Sequence, residues 1–248
     1  MNNRKILSLT MLLTLSLLLT ACRLPFISVV RGSGNLTTED FEVSDFSRIN
    51  LDGAGQLIVT QGDTESLTIE AEDNVMDELT VKVEGNTLVL GFQRRPWNKQ
   101  IVPTEPIVYT LSVVNLTGLK INGAADFEME SLDTDDFVVE VNGAGRIEIN
   151  DLQAESIQAA ITGSATMEIS GAAASQTLDI DGAGNYDAGD LQTSTTTVKF
   201  NGLGNATVWA SESLDVTING AGVLNYYGSP SISQEINGAG DINSLGEK

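Results

Sequence analysis

The chain has 248 residues, 13 Lys and Arg against 34 Asp and Glu, a formal net charge of −21, and no histidine. Nucleic acid is bound through phosphate neutralisation by Lys and Arg, so this charge balance excludes it as a partner. The lack of histidine removes the usual general base, the Ser–His and Cys–His nucleophile pairs, and the commonest transition-metal ligand.

At the N-terminus, Arg4 and Lys5 precede an uncharged, leucine-rich stretch from Ile6 to Thr20. It is shorter than the roughly 20 apolar residues that span a bilayer, and it fits the hydrophobic region of a secretion signal. The stretch ends in Leu19-Thr20-Ala21-Cys22, which resembles the bacterial lipobox. That resemblance implies a lipoprotein signal peptide over residues 1–21, cleavage after Ala21 and lipid on Cys22. Cys22 is the only cysteine in the chain, which rules out an intramolecular disulfide. Each buried lipid CH₂ contributes roughly 0.8 kcal/mol, and stable anchoring takes more than one acyl chain. Without Arg4 and Lys5 the balance is 11 basic against 34 acidic residues, a net of −23. Residues 22–35 read as a tether to the membrane, with ordered structure expected from near Leu36.

Residues 36–118 form a less regular β part. Ile49 and Leu51 lead into Asp52-Gly53-Ala54-Gly55, and Leu57 and Val59 follow it in alternation. Leu67, Ile69 and Ala71 mark another strand, while Leu79, Val81 and Val83 face Leu88 and Leu90 across a hairpin-like Glu84-Gly85-Asn86. The 70 residues from Gly53 to Gly123 therefore hold several strands and a protruding loop.

From residue 119 onward a repeat dominates. The Gly-Ala-Gly core recurs at Gly123, Gly143, Gly163, Gly182, Gly202, Gly220 and Gly238, spaced 20, 20, 19, 20, 18 and 18 residues apart. Apolar residues alternate on both flanks: Phe137, Val139 and Val141 before one core, Ile147 and Ile149 after it. Period-two alternation marks a strand with one buried face. A coil of this length cannot bury that face alone, so successive coils must stack. The reading is an all-β chain with a parallel β-helix-like repeat over 119–248. Asn122, Asn142, Asn201, Asn219 and Asn237 would form an amide ladder if stacked in register, interrupted at Thr162 and Asp181. Asn-Gly is also ordinary turn chemistry, and both readings support the same fold. Hexapeptide spacing is absent. The calcium-binding nonapeptide repeat fails because Ile147, Tyr186 and Leu224 stand where its aspartate belongs.

The run Phe46-Ser47-Arg48-Ile49-Asn50-Leu51-Asp52-Gly53-Ala54-Gly55 is followed by Val59-Thr60-Gln61-Gly62, Glu70-Ala71, Asn86-Thr87-Leu88 and the Asn-Gly-Ala-Gly units. Together, over about residues 40–228, these resemble the head GIN domain family of auto-transporter adhesins. The resemblance implies a right-handed β-helix-like fold and an envelope location. It carries over no catalytic or binding residues.

The strongest local anomaly is Arg94-Arg95-Pro96-Trp97-Asn98-Lys99, which sets three basic residues beside one of only two tryptophans. Arg and Trp are favoured in binding hot spots, so Arg94, Arg95, Trp97 and Lys99 are candidate ligand contacts; the plainer reading is a solvated loop. Asp133-Thr134-Asp135-Asp136 offers oxygen ligands of the kind calcium takes, yet such acidic turns are more often solvated corners. Tyr226-Tyr227 reads as one ring inward and one outward. Asp187 and Asp190 are the nearest approach to a carboxylate pair for a polysaccharide-active enzyme, but nothing convergent accompanies them. No metal, cofactor or catalytic residue is expected. The preferred reading is a lipid-anchored envelope module that binds glycan or envelope protein. A structural spacer is the alternative, and a β-helix enzyme comes third.

Overall fold

A computed structural model describes residues 28–93 and 99–248. They form two compact units, each of which is β-structured. The smaller is a parallel pair: β1 (Ser28–Arg31) lies against β8 (Lys99–Val102), with Ser28 opposite Lys99. A four-residue strand thus falls within the segment read as tether. The larger unit holds Gly32–Gln93 and Pro103–Lys248.

In the larger unit the repeat builds five long strands: β11 (Ala124–Val141), β12 (Ala144–Ile161), β13 (Ser164–Ile180), β14 (Ala183–Phe200) and β15 (Leu203–Ile218). A shorter coil follows, built from β16 (Ala221–Tyr227) and β17 (Ser231–Ile236), and β18 (Ala239–Gly246) stacks on β16 as the start of the next. All pair in parallel with the coil before, which makes a parallel β-solenoid and rules out a meander of hairpins. Each coil is strand almost throughout: β11 runs unbroken through Asp133 to Asp136, and only Asn142 and Gly143 separate it from β12. The ladder turns corners without ending because each coil copies the path of its neighbour.

Alternation gives the coil its inside. Leu57, Phe127, Ile147, Met167, Tyr186, Ala206 and Leu224 stack in one inward column, each buried. Just before the corner runs a second column of Leu51, Ile121, Val141, Ile161, Ile180, Phe200 and Ile218, each 1 % exposed or less. Burying such a side chain contributes about 1.5–3 kcal/mol, so the two columns account for much of the stacking free energy.

The corner itself depends on the first glycine of each core. A Cβ on Gly143 would sit 1.7 Å from the carbonyl oxygen of Gly123, and the same overlap recurs at Gly163, Gly182, Gly202, Gly220 and Gly238 at 1.8–2.1 Å. The amide ladder is present but breaks in one place only. Asn122 donates to Asn50 (2.9 Å), Asn142 to Asn122 (2.9 Å), Asn219 to Asn201 (2.9 Å) and Asn237 to Asn219 (3.1 Å). Asp181 does not interrupt it. Its carboxylate accepts from the Asn201 amide at 2.6 Å and starts the second run, since a first rung needs only an acceptor. Among the described residues Thr162 alone leaves a gap.

The N-terminal part is stacked out of chain order. The first Gly-Ala-Gly core joins β3 (Arg48–Asp52) to β4 (Ala54–Gln61), and these lie directly beneath β10 (Gly118–Ile121) and β11. Below them come β7 (Thr87–Phe92) and β9 (Val108–Val113), also parallel although they follow in sequence. Antiparallel strands close that end: β6 (Leu79–Glu84) on β7, and β5 (Ser66–Glu72) on β9, with β2 (Leu36–Phe41) outside β5. Gly85 takes a φ of +64° in the β6–β7 turn, the left-handed conformation that favours glycine.

Glu72 fastens this end. It is 1 % exposed and accepts from the Thr104 hydroxyl, the Thr104 amide (2.8 Å) and the Gly34 amide (2.7 Å). Those bonds, the Thr104 hydroxyl first, outweigh burial and lower its pKa from 4.5 to about 2. A carboxylate with a lowered folded pKa contributes stability that is complete above its unfolded value and is lost as pH falls through the folded one. The Gly34 and Thr104 amides should therefore lose exchange protection as pH falls from 4.5 towards 2. NMR-detected exchange checks this: Glu72→Gln should weaken protection at neutral pH and flatten the pH response, and an unchanged wild-type profile would refute the role.

Candidate functional site

Two surface features carry chemistry, and both follow from the repeat. The first is a shallow groove along the corners. Outward positions there are Ser164, Ala183, Leu203, Ala221 and Ala239, flanked by the glycine backbone and by Thr166, Asn185, Asn205 and Asp241. The groove encloses about 690 Å³ and crosses six successive corners, from Gly145 to Gly240. Asn205 donates to Asn185 at 3.2 Å, an amide rung on its wall. Apart from Leu203, the residues at the centre of each corner are small, so little side chain projects from the floor.

The second feature is an aromatic pair on the outer face. Trp209 of β15 stands in register with Tyr227 of β16, one 18-residue coil later. Beside them β14 carries extra residues: its offset from β15 drops from 20 residues at Ala188 to 17 at Gln192, and settles at 18 from Thr195. The excess, residues 189–191, has no partner in β15; Asp190 is exposed while Leu191 points into the core. A Cβ on Gly189 would lie 3.1 Å from the Thr207 methyl and 3.3 Å from the Tyr227 ring, so glycine lets the bulge settle against the aromatics. The Lys248 ammonium lies 4.8 Å from the Tyr227 ring centre and 5.7 Å from that of Trp209. It also donates to the Gly189 carbonyl at 2.7 Å and pairs with Asp190.

Carboxylates dominate the outer face elsewhere. Glu128, Glu148, Glu168 and Asp187 stack in register on neighbouring coils, about 4.8 Å apart. Arg146 bridges Glu148 (3.4 Å) and Glu168 (2.6 Å), and the Gln56 amide donates to Glu128 at 3.0 Å. Exposed pairs of this kind are worth about 0–1 kcal/mol, so they offset repulsion more than they stabilise.

The positions singled out from sequence fare differently. Arg94, Arg95 and Trp97 lie outside the described residues, as does Cys22; Lys99 opens β8. In the acidic stretch, the Asp133 backbone is held by Gln61 (2.8 and 2.9 Å) and Asp136 accepts from Ser156 at 2.5 Å. Among the described residues no group of three or more His, Cys, Asp or Glu suits a metal ion. Asp187 accepts the Gly189 amide at 3.2 Å while Asp190 holds Lys248, so the two serve the bulge separately. Tyr226 and Tyr227 are both part-exposed. Trp209 was not singled out, although its 18-residue separation from Tyr227, equal to the local period, was a readable signal.

Fold and surface define a glycine-cornered parallel β-solenoid with a backbone-lined groove and an outer aromatic pair. The chain belongs to the family described as "Putative auto-transporter adhesin, head GIN domain", whose pattern matches residues 45–230. A putative adhesin from Bacteroides fragilis is similar at 28% identity and a TM-score of 0.82, over 87% of this chain and all of that one. A putative lipid binding protein from Parabacteroides distasonis shares the fold at 23% identity and a TM-score of 0.73, over 88% of this chain and 100% of that one. A putative adhesin from Parabacteroides merdae does so at 19% and 0.66, over 88% and 99%. None of the curated proteins matches the chain. Among the described residues no helix is long and apolar enough to cross a membrane.

Proposed function

We propose that the protein is a non-enzymatic adhesion module of the bacterial envelope, anchored by lipid on Cys22, that holds an extended glycan or polypeptide along its corner groove. The groove carries this reading. It runs over six corners at the coil repeat with the polar side chains Thr166, Asn185, Asn205 and Asp241 along it, a length that suits a linear polymer better than a compact ligand. The family name and the B. fragilis neighbour support an adhesive role. Arg94, Arg95, Trp97 and Lys99 form a second candidate contact.

Bulk can be added in the groove without disturbing the core, because Leu203 already occupies a corner position with 62% of its surface exposed. Ala183→Trp with Ala221→Trp should therefore fill the groove and leave the fold intact. An array of glycans and cell-wall polymers, probed with the purified chain, should show saturable binding that weakens at least tenfold in this variant. Loss instead in Arg95→Ala/Trp97→Ala would move the site to the basic segment. Absence of binding across the array would favour a structural spacer. Cys22→Ala should shift the protein from membrane to soluble fraction, and unchanged membrane association would sink the anchor.

A further inference from the structure

We propose that the outer aromatic pair is an ammonium-binding site, held in this structure by the chain's own Lys248, whose external ligand is a lysine side chain of a partner protein. Four groups converge on the Lys248 ammonium: the faces of Trp209 and Tyr227, the Asp190 carboxylate and the Gly189 carbonyl. Aromatic faces attract cations through their quadrupole, with Trp the strongest. The carbonyl at 2.7 Å and the carboxylate accept N–H donors, which a primary ammonium supplies and a quaternary one lacks. The site is therefore selective for lysine-like cations over trimethylated ones.

A salt bridge on an ordinary surface would not need this construction. The Gly189 carbonyl is available because residues 189–191 have no partner in β15 where the pairing shifts. The two rings align because Trp209 and Tyr227 are register partners. Lys248 reaches the site across 58 residues from Asp190, with its side chain still 31% exposed. It lies outside any strand, so it can leave without disturbing a ladder. Lys248 thus acts as an internal competitor for a lysine presented by another molecule. The −21 charge of the chain favours approach of such a basic partner.

The test is NMR titration of the full chain with Nα-acetyl-L-lysine amide, following the Trp209 indole and Gly189 amide, assigned with Trp209→Phe. The Lys248→Ala variant should show saturable shifts, and the wild type should need at least ten times more probe. Asp190→Asn or Trp209→Ala in the Lys248→Ala background should abolish them. Three results would overturn the proposal: no saturable shift in Lys248→Ala, equal response in wild type and variant, or an equal response to the neutral analogue acetyl-norleucine amide. Tighter binding of tetramethylammonium would overturn the primary-ammonium selectivity.

Discussion

Replacing Gly143 with valine should unfold the solenoid, whereas alanine at Gly184, two residues into a corner, should only weaken it. A Cβ at Gly143 falls 1.7 Å from the Gly123 carbonyl oxygen and 2.7 Å from its carbon. Both are backbone atoms in the adjacent coil, so no rotamer change can make room. Relief requires the coils to part, which breaks the Ala144 N–H bond to that same carbonyl, 2.8 Å long. The expected loss exceeds about 4 kcal/mol, a large share of the roughly 5–15 kcal/mol that holds a domain folded. At Gly184 the nearest atom to a new Cβ is the Ile161 Cδ1 at 2.9 Å, the end of a flexible side chain. Ala125 and Ala165 fill the equivalent position in other coils with only 4% and 6% exposure. Overpacking of that kind costs about 1–3 kcal/mol. Urea unfolding of the two variants separates the cases, and a Gly143→Val protein that melts with the wild type would refute the corner assignment.

The repeat was legible because stacking in register makes the coil period and the sequence period the same quantity. Every inward column then appears as alternation at a fixed offset from a glycine, as with Phe137, Val139 and Val141. The N-terminal part was legible only as strands. Leu88 and Leu90 were read correctly as one arm of a hairpin, but β7 also pairs in parallel with β3, which precedes it in the chain. No corner motif marks that layer, so local pattern had nothing from which to infer the partner. Asp181 was misread for a different reason: ladder membership was judged by residue identity, while its first rung asks only for an oxygen acceptor.

The surface was harder still. Arg95 and Trp97 stand out in composition because basic residues are scarce, whereas Trp209 and Tyr227 look unrelated in a linear reading. Their proximity depends on a register that the solenoid supplies, and the Gly189 carbonyl faces them only because the coil length changes there. The corners give the proposed polymer groove, and the irregular step gives the proposed single-cation site.

The same logic sets the second large effect, at Phe200. Its ring is fully buried and fills the space beneath two corners: a Cβ on Gly204 would lie 3.0 Å from Phe200 Cε1, and one on Gly222 3.1 Å from Phe200 Cγ. Phe200→Ala should cost about 3–5 kcal/mol through lost burial and the cavity left behind. Gly204→Ala should cost about 1–3 kcal/mol by pressing on the ring. Together they should cost less than the two separate losses, since the added methyl enters the vacated volume. Relief stays partial because the Gly184 carbonyl oxygen and Ile180 Cδ1 remain 3.1 Å from the new Cβ. Coupling of roughly 0.5–3 kcal/mol is the range for residues in direct contact. A double-mutant cycle in urea measures it. Coupling would mean that the aromatic core, as well as coil-to-coil backbone contact, demands glycine at the second corner position. Additivity within about 0.5 kcal/mol would assign that demand to the backbone alone.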